Sequence, residues 1–186
     1  MPDIDIDFAD RNVILSKITH RVATLETEKK HNTGVYTHRV PVDPVNGYCT
    51  IDHKEADDNG YFKLDVLNVS IYKDVQDDNH LDKLINKEPL WQLLEHKDFV
   101  DKVFHLSGHD KLLKQLRPDT LEKLAATLAI IRPAKRHLAT QSWEKILSEV
   151  WTKPIGNEYY FKKSHAHSYA MACIVHINLI CEELGY

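Results

Sequence analysis

The spacing of apolar residues changes once along this chain, and that change constrains the fold more than any other feature. The first third contains short runs in which apolar and polar residues alternate, each followed by turn-forming residues: "PDIDIDF" (2–8), "VYTHRV" (35–40), "YCTID" (48–52) and "YFKLDV" (61–66). Alternation with a period of two is typical of half-buried β-strands. From residue 67 onward apolar residues recur mostly at helical spacing. The sequence therefore predicts an α+β protein with a small antiparallel sheet in one lobe (1–75) and a mostly helical second lobe (76–186).

One helix is also predicted inside the first lobe. Asp10 is a suitable N-cap, and apolar residues then follow on one helical face at Ile14, Ile18, Val22 and Leu25. The segment "HNTG" (31–34) is expected to end this helix because it combines polar turn formers with glycine.

Several signals place helix boundaries in the second lobe. Helix starts are predicted at Pro89, "SGHD" (107–110) and "DTLE" (119–122), and "RP" (132–133) is expected to end a helix. The last helix should be long and carry an apolar face made of Tyr169, Cys173, Ile177, Ile180 and Leu184.

Composition excludes several classes of protein. The chain has 42% hydrophobic and 28% charged residues, and no apolar run approaches the roughly 20 residues of a membrane span. Its three cysteines, Cys49, Cys173 and Cys181, form no CxxC pair, so we expect reduced thiols and a cytoplasmic protein. The formal net charge of −4 argues against a protein that grips nucleic acid unaided.

The charges are unevenly distributed. Residues 1–10 hold only acidic charges, whereas residues 111–136 are strongly basic. An acidic region could hold metal and a basic region could hold phosphate; chance clustering on solvated helix faces is the alternative.

"PDIDIDF" permits two interpretations. On a strand, Asp3, Asp5 and Asp7 share one face, and the isoleucines share the other. The strand is either an exposed acidic edge, or a strand that presents carboxylates to divalent cations such as Mg²⁺.

Four segments in order resemble the catalytic core of the bacterial replicative DNA polymerase III alpha subunit, a family C DNA polymerase. "PDIDIDF" followed by "DR" is similar to that family's strand with two catalytic aspartates, and "YFKLDVLNV" (61–69) to its "KFDFLGL" strand with the third. "VFHLSGHDKLLKQLRPDTLEKLAATLAIIRP" (103–133) resembles the start of its fingers, and "FKKSHAHSYAMACIVHINLI" (161–180) resembles its "FNKSHAxxYA" helix.

The resemblance implies a palm-like lobe of the polymerase beta nucleotidyltransferase type, over 1–75, and a fingers-like lobe over 76–186. It implies that Asp5, Asp7 and Asp65 are catalytic and bind two Mg²⁺ ions, for which Mn²⁺ can substitute. Asp3 would be an accessory acid. The implied reaction is DNA-directed nucleotidyl transfer, with a dNTP and primer-template DNA as substrates.

Nucleotide-binding residues are also implied. Lys63 matches a lysine of the family, and it could neutralise phosphate or form an ion pair with an aspartate. Arg132 matches an arginine of the nucleotide-binding fingers, and the alternative is an arginine that caps the preceding helix. Lys163, Ser164 and His165 lie at the start of a predicted helix and could form a triphosphate cradle; the alternative is a solvated lysine and a capping serine.

The sequence departs from the family in several places. No glycine-serine motif precedes the aspartates, and the segment 8–64 is far shorter than the family's thumb-containing insertion. "RPGP" is replaced by "RPAK" (132–135), and "FNKSH" by "FKKSH". The expectation is therefore a minimal polymerase, such as a phage would encode for an infected bacterial cell, or one piece of a split polymerase that needs a second subunit.

Two other hypotheses remain open. One is a non-catalytic mimic of the polymerase core that binds nucleotide or replication proteins. The other is a nucleotidyltransferase that acts on a small molecule or a protein.

Overall fold

The computed structural model describes residues 4–155 and 159–186, and the described part is α+β. The chain divides into two compact units, Met1–Lys73 and Asp74–Tyr186, called here the sheet unit and the helical unit. The sequence placed a lobe boundary after residue 75. Asp3 lies outside the described residues.

The sheet unit contains a mixed five-stranded sheet with the strand order β1-β5-β3-β2-β4. The strands are β1 (Ile4–Phe8), β2 (Arg21–Thr24), β3 (Lys30–Tyr36), β4 (Tyr48–Asp52) and β5 (Leu64–Asn68). β1 pairs with β5, and β2 with β4, in parallel, while β3 is antiparallel to both β2 and β5. The prediction of an antiparallel sheet is therefore wrong. Parallel strands need a long connection, and the chain between β1 and β5 supplies one by forming the other three strands and two helices.

The predicted first helix is much shorter in the structure. Helix α1 covers only Arg11–Leu15, and the Asp10 side chain caps it by accepting a hydrogen bond from the Asn12 backbone N–H at 3.0 Å. Val22 belongs to β2 instead, where both neighbouring strands pair with it. The segment "HNTG" lies within β3 and does not end a helix. Pairing with two strands satisfies the backbone of this segment as a helix would have done, and the branched side chain of Val22 favours a strand.

A second helix, α2 (His53–Asp58), connects β4 to β5. Asp52, the last residue of β4, caps α2 through hydrogen bonds from the Lys54 and Glu55 backbone N–H groups. The buried core of this unit is small and contains Ala23, Tyr36, Val40, Cys49 and Ala56.

Six α-helices and two 3₁₀ segments are described in the helical unit. The α-helices are α3 (Asp78–Asn86), α4 (Lys97–Val100), α5 (Asp110–Leu116), α6 (Leu121–Ile130), α7 (Trp143–Glu149) and α8 (Lys163–Glu183), and the 3₁₀ segments are Trp91–Glu95 and Pro133–Thr140. A further 3₁₀ segment, Ser70–Asp74, lies at the division between the units. Thr120 caps α6 as expected, because its side chain accepts from the Lys123 backbone N–H. α5 begins later than "SGHD" suggested, with His109 as its N-cap.

The core of the helical unit is centred on α6 and α8. Every residue from Leu124 to Ile130 is buried, so α6 is enclosed on all sides. On α8 the predicted face is buried at Cys173, Ile177 and Ile180, whereas Leu184 is 53% exposed because the helix ends one residue earlier.

Two expectations from composition can be compared with the structure. Within the two described ranges, no helix is long and apolar enough to cross a membrane. Cys49, Cys173 and Cys181 are all buried, free thiols.

Candidate functional site

The three aspartates predicted to be catalytic lie on two neighbouring strands. Asp5 on β1 is the direct partner of Asp65 on β5, and in-register residues of adjacent strands point to the same side of a sheet. Asp7 lies two residues after Asp5 and therefore shares that side. The structure thus brings Asp5, Asp7 and Asp65 to one face of a parallel strand pair.

Asp65 is the buried member of this set, with only 8% of its surface exposed. Thr33 Oγ1 donates a hydrogen bond to Asp65 Oδ1 at 2.6 Å, and Lys63 Nζ donates to Oδ2 in an ion pair. His31 Nδ1 lies 3.8 Å from Oδ1. Both oxygens of Asp65 therefore have partners within the protein, and Lys63 forms the ion pair that was one of its two expected roles.

Gly34 makes the Lys63–Asp65 contact possible. It pairs with Asp65 across β3 and β5, and a Cβ atom there would lie 2.8 Å from Lys63 Cδ. The same Cβ would lie 3.0 Å from His31 Nδ1, which accepts a hydrogen bond from the Gly34 N–H at 2.8 Å. The missing side chain leaves the space through which Lys63 reaches the carboxylate.

Arg11 joins α1 to the strands that carry this group. Its backbone N–H donates to Asn68 Oδ1 at 3.1 Å, and its guanidinium donates to the backbone carbonyl oxygens of Asn32 and Thr33. Sequence reasoning missed Thr33 and His31, because "HNTG" was interpreted as the end of a helix. A strand interpretation of "KHNTGVY" would have placed His31 and Thr33 on the same face of one strand, but not beside the aspartates. We refer to Asp5, Asp7, Asp65, Lys63, Thr33 and His31 as the Asp65 group.

Burial and neighbouring charges shift the pKa values of two side chains in the Asp65 group. Burial, and then the nearby charge of Asp5, raises the pKa of Asp7. Burial lowers the pKa of His31, and the Lys63 charge adds to this effect. The nearby charge of Asp5 therefore disfavours the charged form of Asp7, whereas Asp65 forms an ion pair with Lys63.

Only some side chains of the Asp65 group are suitable ligands for a hard cation such as Mg²⁺. Carboxylate oxygens are the ligands Mg²⁺ prefers, and Asp5 and Asp7 supply them. Among residues 4–155 and 159–186, however, no three His, Cys, Asp or Glu side chains are grouped closely enough to hold a metal ion. Asp65 could join Asp5 and Asp7 as a ligand if Lys63 released it.

Arg132 lies in the helical unit, at the start of the 3₁₀ segment that follows α6. Its guanidinium carbon is 5.1 Å from the ring centre of Phe161 and 5.7 Å from that of Tyr159. It borders a cavity of about 260 Å³. We call this cavity the Arg132 pocket; it is lined by His105, Ser107, His109, Leu128, Ile131, Arg132, Phe161 and Tyr169.

The other predicted nucleotide-binding residues lie in the first turn of α8 and do not line this pocket. Lys163 Nζ is 3.8 Å from Glu122 Oε1 and 5.9 Å from the ring centre of Trp151. Ser164 is exposed, and His165 is half-buried. The structure groups Arg132 with three polar residues of "VFHLSGHD" that the sequence had not assigned to a site; their alternating positions 105, 107 and 109 are the signal that could have found them.

Comparisons with known proteins add no relative: no protein-family model, no curated protein and no solved structure matches this chain. The Asp65 group and the Arg132 pocket are therefore the basis for a functional proposal.

Proposed function

We propose that this protein is a metal-dependent nucleotidyltransferase of the DNA polymerase III alpha type, which adds a nucleotide from a dNTP to a primer 3′-hydroxyl. The observation that carries the proposal is the register of β1 and β5, which pairs Asp5 with Asp65 and leaves Asp7 on the same face. Polymerase-type transfer needs several carboxylates at fixed spacing on adjacent elements, and a parallel strand pair holds them rigidly.

Asp5 and Asp7 would hold Mg²⁺, or Mn²⁺ in its place, with Asp65 as a third ligand. Two such ions, when bound, activate the primer hydroxyl and neutralise the departing pyrophosphate. The raised pKa of Asp7 means that metal and proton compete for the same carboxylate.

The contacts of Lys63 indicate a role for this residue in substrate binding. It now neutralises Asp65, and its flexible stem crosses over Gly34. On substrate binding Lys63 would turn from the carboxylate to a phosphate oxygen, which exposes Asp65 as a ligand. Thr33 would keep Asp65 oriented during that exchange, because its bond to Oδ1 does not involve Lys63.

Four residues of the helical unit, Arg132, Lys163, Ser164 and His165, are proposed to bind the phosphates of a nucleotide. The net charge of −4 gives the chain little affinity of its own for primer-template DNA, so a second polymerase subunit or another replication protein would hold the duplex.

One observation favours a second candidate function. Both oxygens of Asp65 are engaged by Lys63 and Thr33, which is how a carboxylate with a purely structural role would be satisfied. A non-catalytic polymerase-core mimic that binds nucleotide or replication proteins would need no third metal ligand.

The test is extension of a labelled primer with Mg²⁺ or Mn²⁺, with and without candidate partner subunits. We expect Asp5→Asn and Asp7→Asn to abolish extension. Asp10→Asn is the matched control, since it removes a nearby acidic charge while asparagine still caps α1.

Equal extension, or equal inactivity, of the wild type and Asp7→Asn under all these conditions would refute catalysis. Calorimetry then decides the alternative. Retained dNTP binding, or capture of a purified replication protein, by an inactive wild type would support the mimic.

A further inference from the structure

The Arg132 pocket has the composition of an anion site. Among its eight lining residues there is one permanent cation and no carboxylate. Within the described ranges, Arg132 has no ion-pair partner, and its Nε atom is buried without a hydrogen bond. An arginine that is partly buried beside a cavity without a carboxylate partner is typical of a site that receives its negative charge from a ligand.

Three further donors face the same cavity from one turn. His105, Ser107 and His109 lie at alternating positions between α4 and α5 and all line the pocket. Burial lowers the pKa of both histidines, and the Arg132 charge contributes in each case. At neutral pH each ring is therefore uncharged and can donate one N–H, while Ser107 can donate its O–H.

The conformation of His105 orients its ring beside the pocket. Its φ angle is +59°, in the left-handed region, where histidine occurs more often than most residues other than glycine. Its ring lies edge-on to Phe104, at 4.0 Å between ring centres, and to Tyr169, at 4.6 Å.

The donors also indicate which anion fits. A carboxylate offers two oxygens, which a single guanidinium can satisfy in a bidentate pair. Here a guanidinium, a hydroxyl and two imidazoles border one cavity, and a phosphate group offers enough oxygens for all four. The volume of about 260 Å³ suits a compact ligand, and Leu128 and Ile131 close the apolar side.

We propose that the Arg132 pocket binds a phosphate group, with Arg132 supplying charge and His105, Ser107 and His109 supplying hydrogen bonds. Inorganic phosphate, pyrophosphate and the phosphate chain of a nucleotide share this chemistry. Only the nucleotide case rests on the proposed function, because the Asp65 group contributes nothing to the pocket.

The experiment is calorimetric titration of the full chain, without divalent metal, with inorganic phosphate, pyrophosphate and a dNTP in separate arms. We expect binding in at least one arm, and the arm with the highest affinity identifies the source of the phosphate. Arg132→Gln should weaken binding at least tenfold, and Ser107→Ala and His109→Gln severalfold. Arg117→Gln is the matched control, because it removes the same charge from an exposed position in the same unit and should leave affinity unchanged.

Absence of binding in all three arms would overturn the proposal, as would equal binding by the wild type and Arg132→Gln. If Arg132→Gln fails to fold, the exposed Ser107 provides the decisive variant, and unchanged affinity of Ser107→Ala would count against the pocket.

The failure of this inference and the failure of the proposed function are distinguishable. Asp7→Asn should bind phosphate as the wild type does. Phosphate binding without any primer extension would contradict only catalysis. Primer extension without phosphate binding would contradict the pocket and the phosphate-binding role of Arg132, but not catalysis by the Asp65 group.

Discussion

Each unit contains a deeply buried polar side chain, and the partners of the two side chains differ. In the sheet unit, Asp65 forms an ion pair with Lys63 and accepts a hydrogen bond from Thr33, on the same face as Asp5 and Asp7. In the helical unit, the buried Asn178 donates to the backbone carbonyls of Leu84 and Lys87, which fixes helices to each other.

The buried apolar cores of the two units also differ in size. The sheet unit has a small cluster of buried apolar residues, whereas the core of the helical unit draws on α4 to α8. Side-chain polar contacts can be rearranged by a ligand more easily than an apolar core can. The comparison teaches that polar side-chain contacts surround the buried Asp65 of the sheet unit, whereas the helical unit is organised around a large apolar core.

The largest expected effect is a core truncation in the helical unit. Leu113→Ala should lower the free energy of unfolding by about 2–5 kcal/mol, since Leu113 is fully buried. The three tryptophans, at positions 91, 143 and 151, all lie in this unit, so their fluorescence during urea unfolding follows it alone. Val13→Ala, at a 54% exposed position of the sheet unit, should leave that transition within about 0.5 kcal/mol of the wild type. A small effect of Leu113→Ala would remove the contrast between the cores.

The second largest effect is expected when the positive charge of Lys63 beside Asp65 is removed. Lys63→Met should destabilise the sheet unit by roughly 1–3 kcal/mol, because it leaves a buried carboxylate with fewer partners. Hydrogen exchange of the β3 and β5 amides measures this, since tryptophan fluorescence does not. Lys54→Met breaks the exposed pair with Glu26 and should leave stability almost unchanged, because solvent screens that pair. Equal effects of the two variants would mean that the Asp65 group is not a special feature of the unit.

A smaller effect is expected at a helix cap. Thr120→Ala removes the side-chain acceptor at the start of α6 and should cost about 1 kcal/mol, visible as a lower urea midpoint of tryptophan fluorescence. Thr120→Ser keeps the acceptor and should behave as the wild type. Equal loss in both variants would show that the threonine methyl group, and not the cap, is what matters.

The smallest expected effect is a difference between the two units in how much stability each loses as the pH falls. Burial lowers the pKa of His105, His109 and His176 in the helical unit, so the unfolded chain binds these protons more readily than the folded one. Their contribution to stability is present above about pH 6.5 and is lost as the pH falls through the lowered pKa values. In the sheet unit, burial lowers the pKa of His31 in the same way, whereas the raised pKa of Asp7 acts in the opposite direction at lower pH. Between pH 7.5 and 5.5, the urea midpoint of tryptophan fluorescence, which reports on the helical unit, should fall more than the hydrogen-exchange protection of the β3 amides. A larger fall in the protection of β3 would contradict this prediction.

The sequence could predict the features that depend on local patterns. The segment "YCTID" coincides with β4, and Asp10 and Thr120 cap helices as their residue types suggested. The α+β class was likewise visible, because the period of the apolar residues differs between the two parts of the chain.

The features it could not predict depend on pairing between distant segments. Val22 fits either a helical face or a strand, and only pairing with β3 and β4 decides between them. The parallel register of β1 and β5 is likewise a tertiary choice that alternation cannot show. At the candidate sites, Asp5, Asp7 and Asp65 were predicted from the resemblance, whereas the contact of Thr33 with Asp65 and the cavity beside His105 depend on pairing and packing between distant segments.

The position of β1 in the sheet has a consequence for every variant that neutralises its acids. β1 is a terminal strand of the described sheet, and such strands can template pairing with a strand of another molecule. Two of its apolar side chains, Ile4 and Ile6, are 40% and 36% exposed, so Asp5 and Asp7 supply the charge that opposes such pairing. Asp5→Asn and Asp7→Asn therefore remove a barrier to self-association together with a proposed metal ligand. Sedimentation velocity should show a concentration-dependent dimer for the double variant.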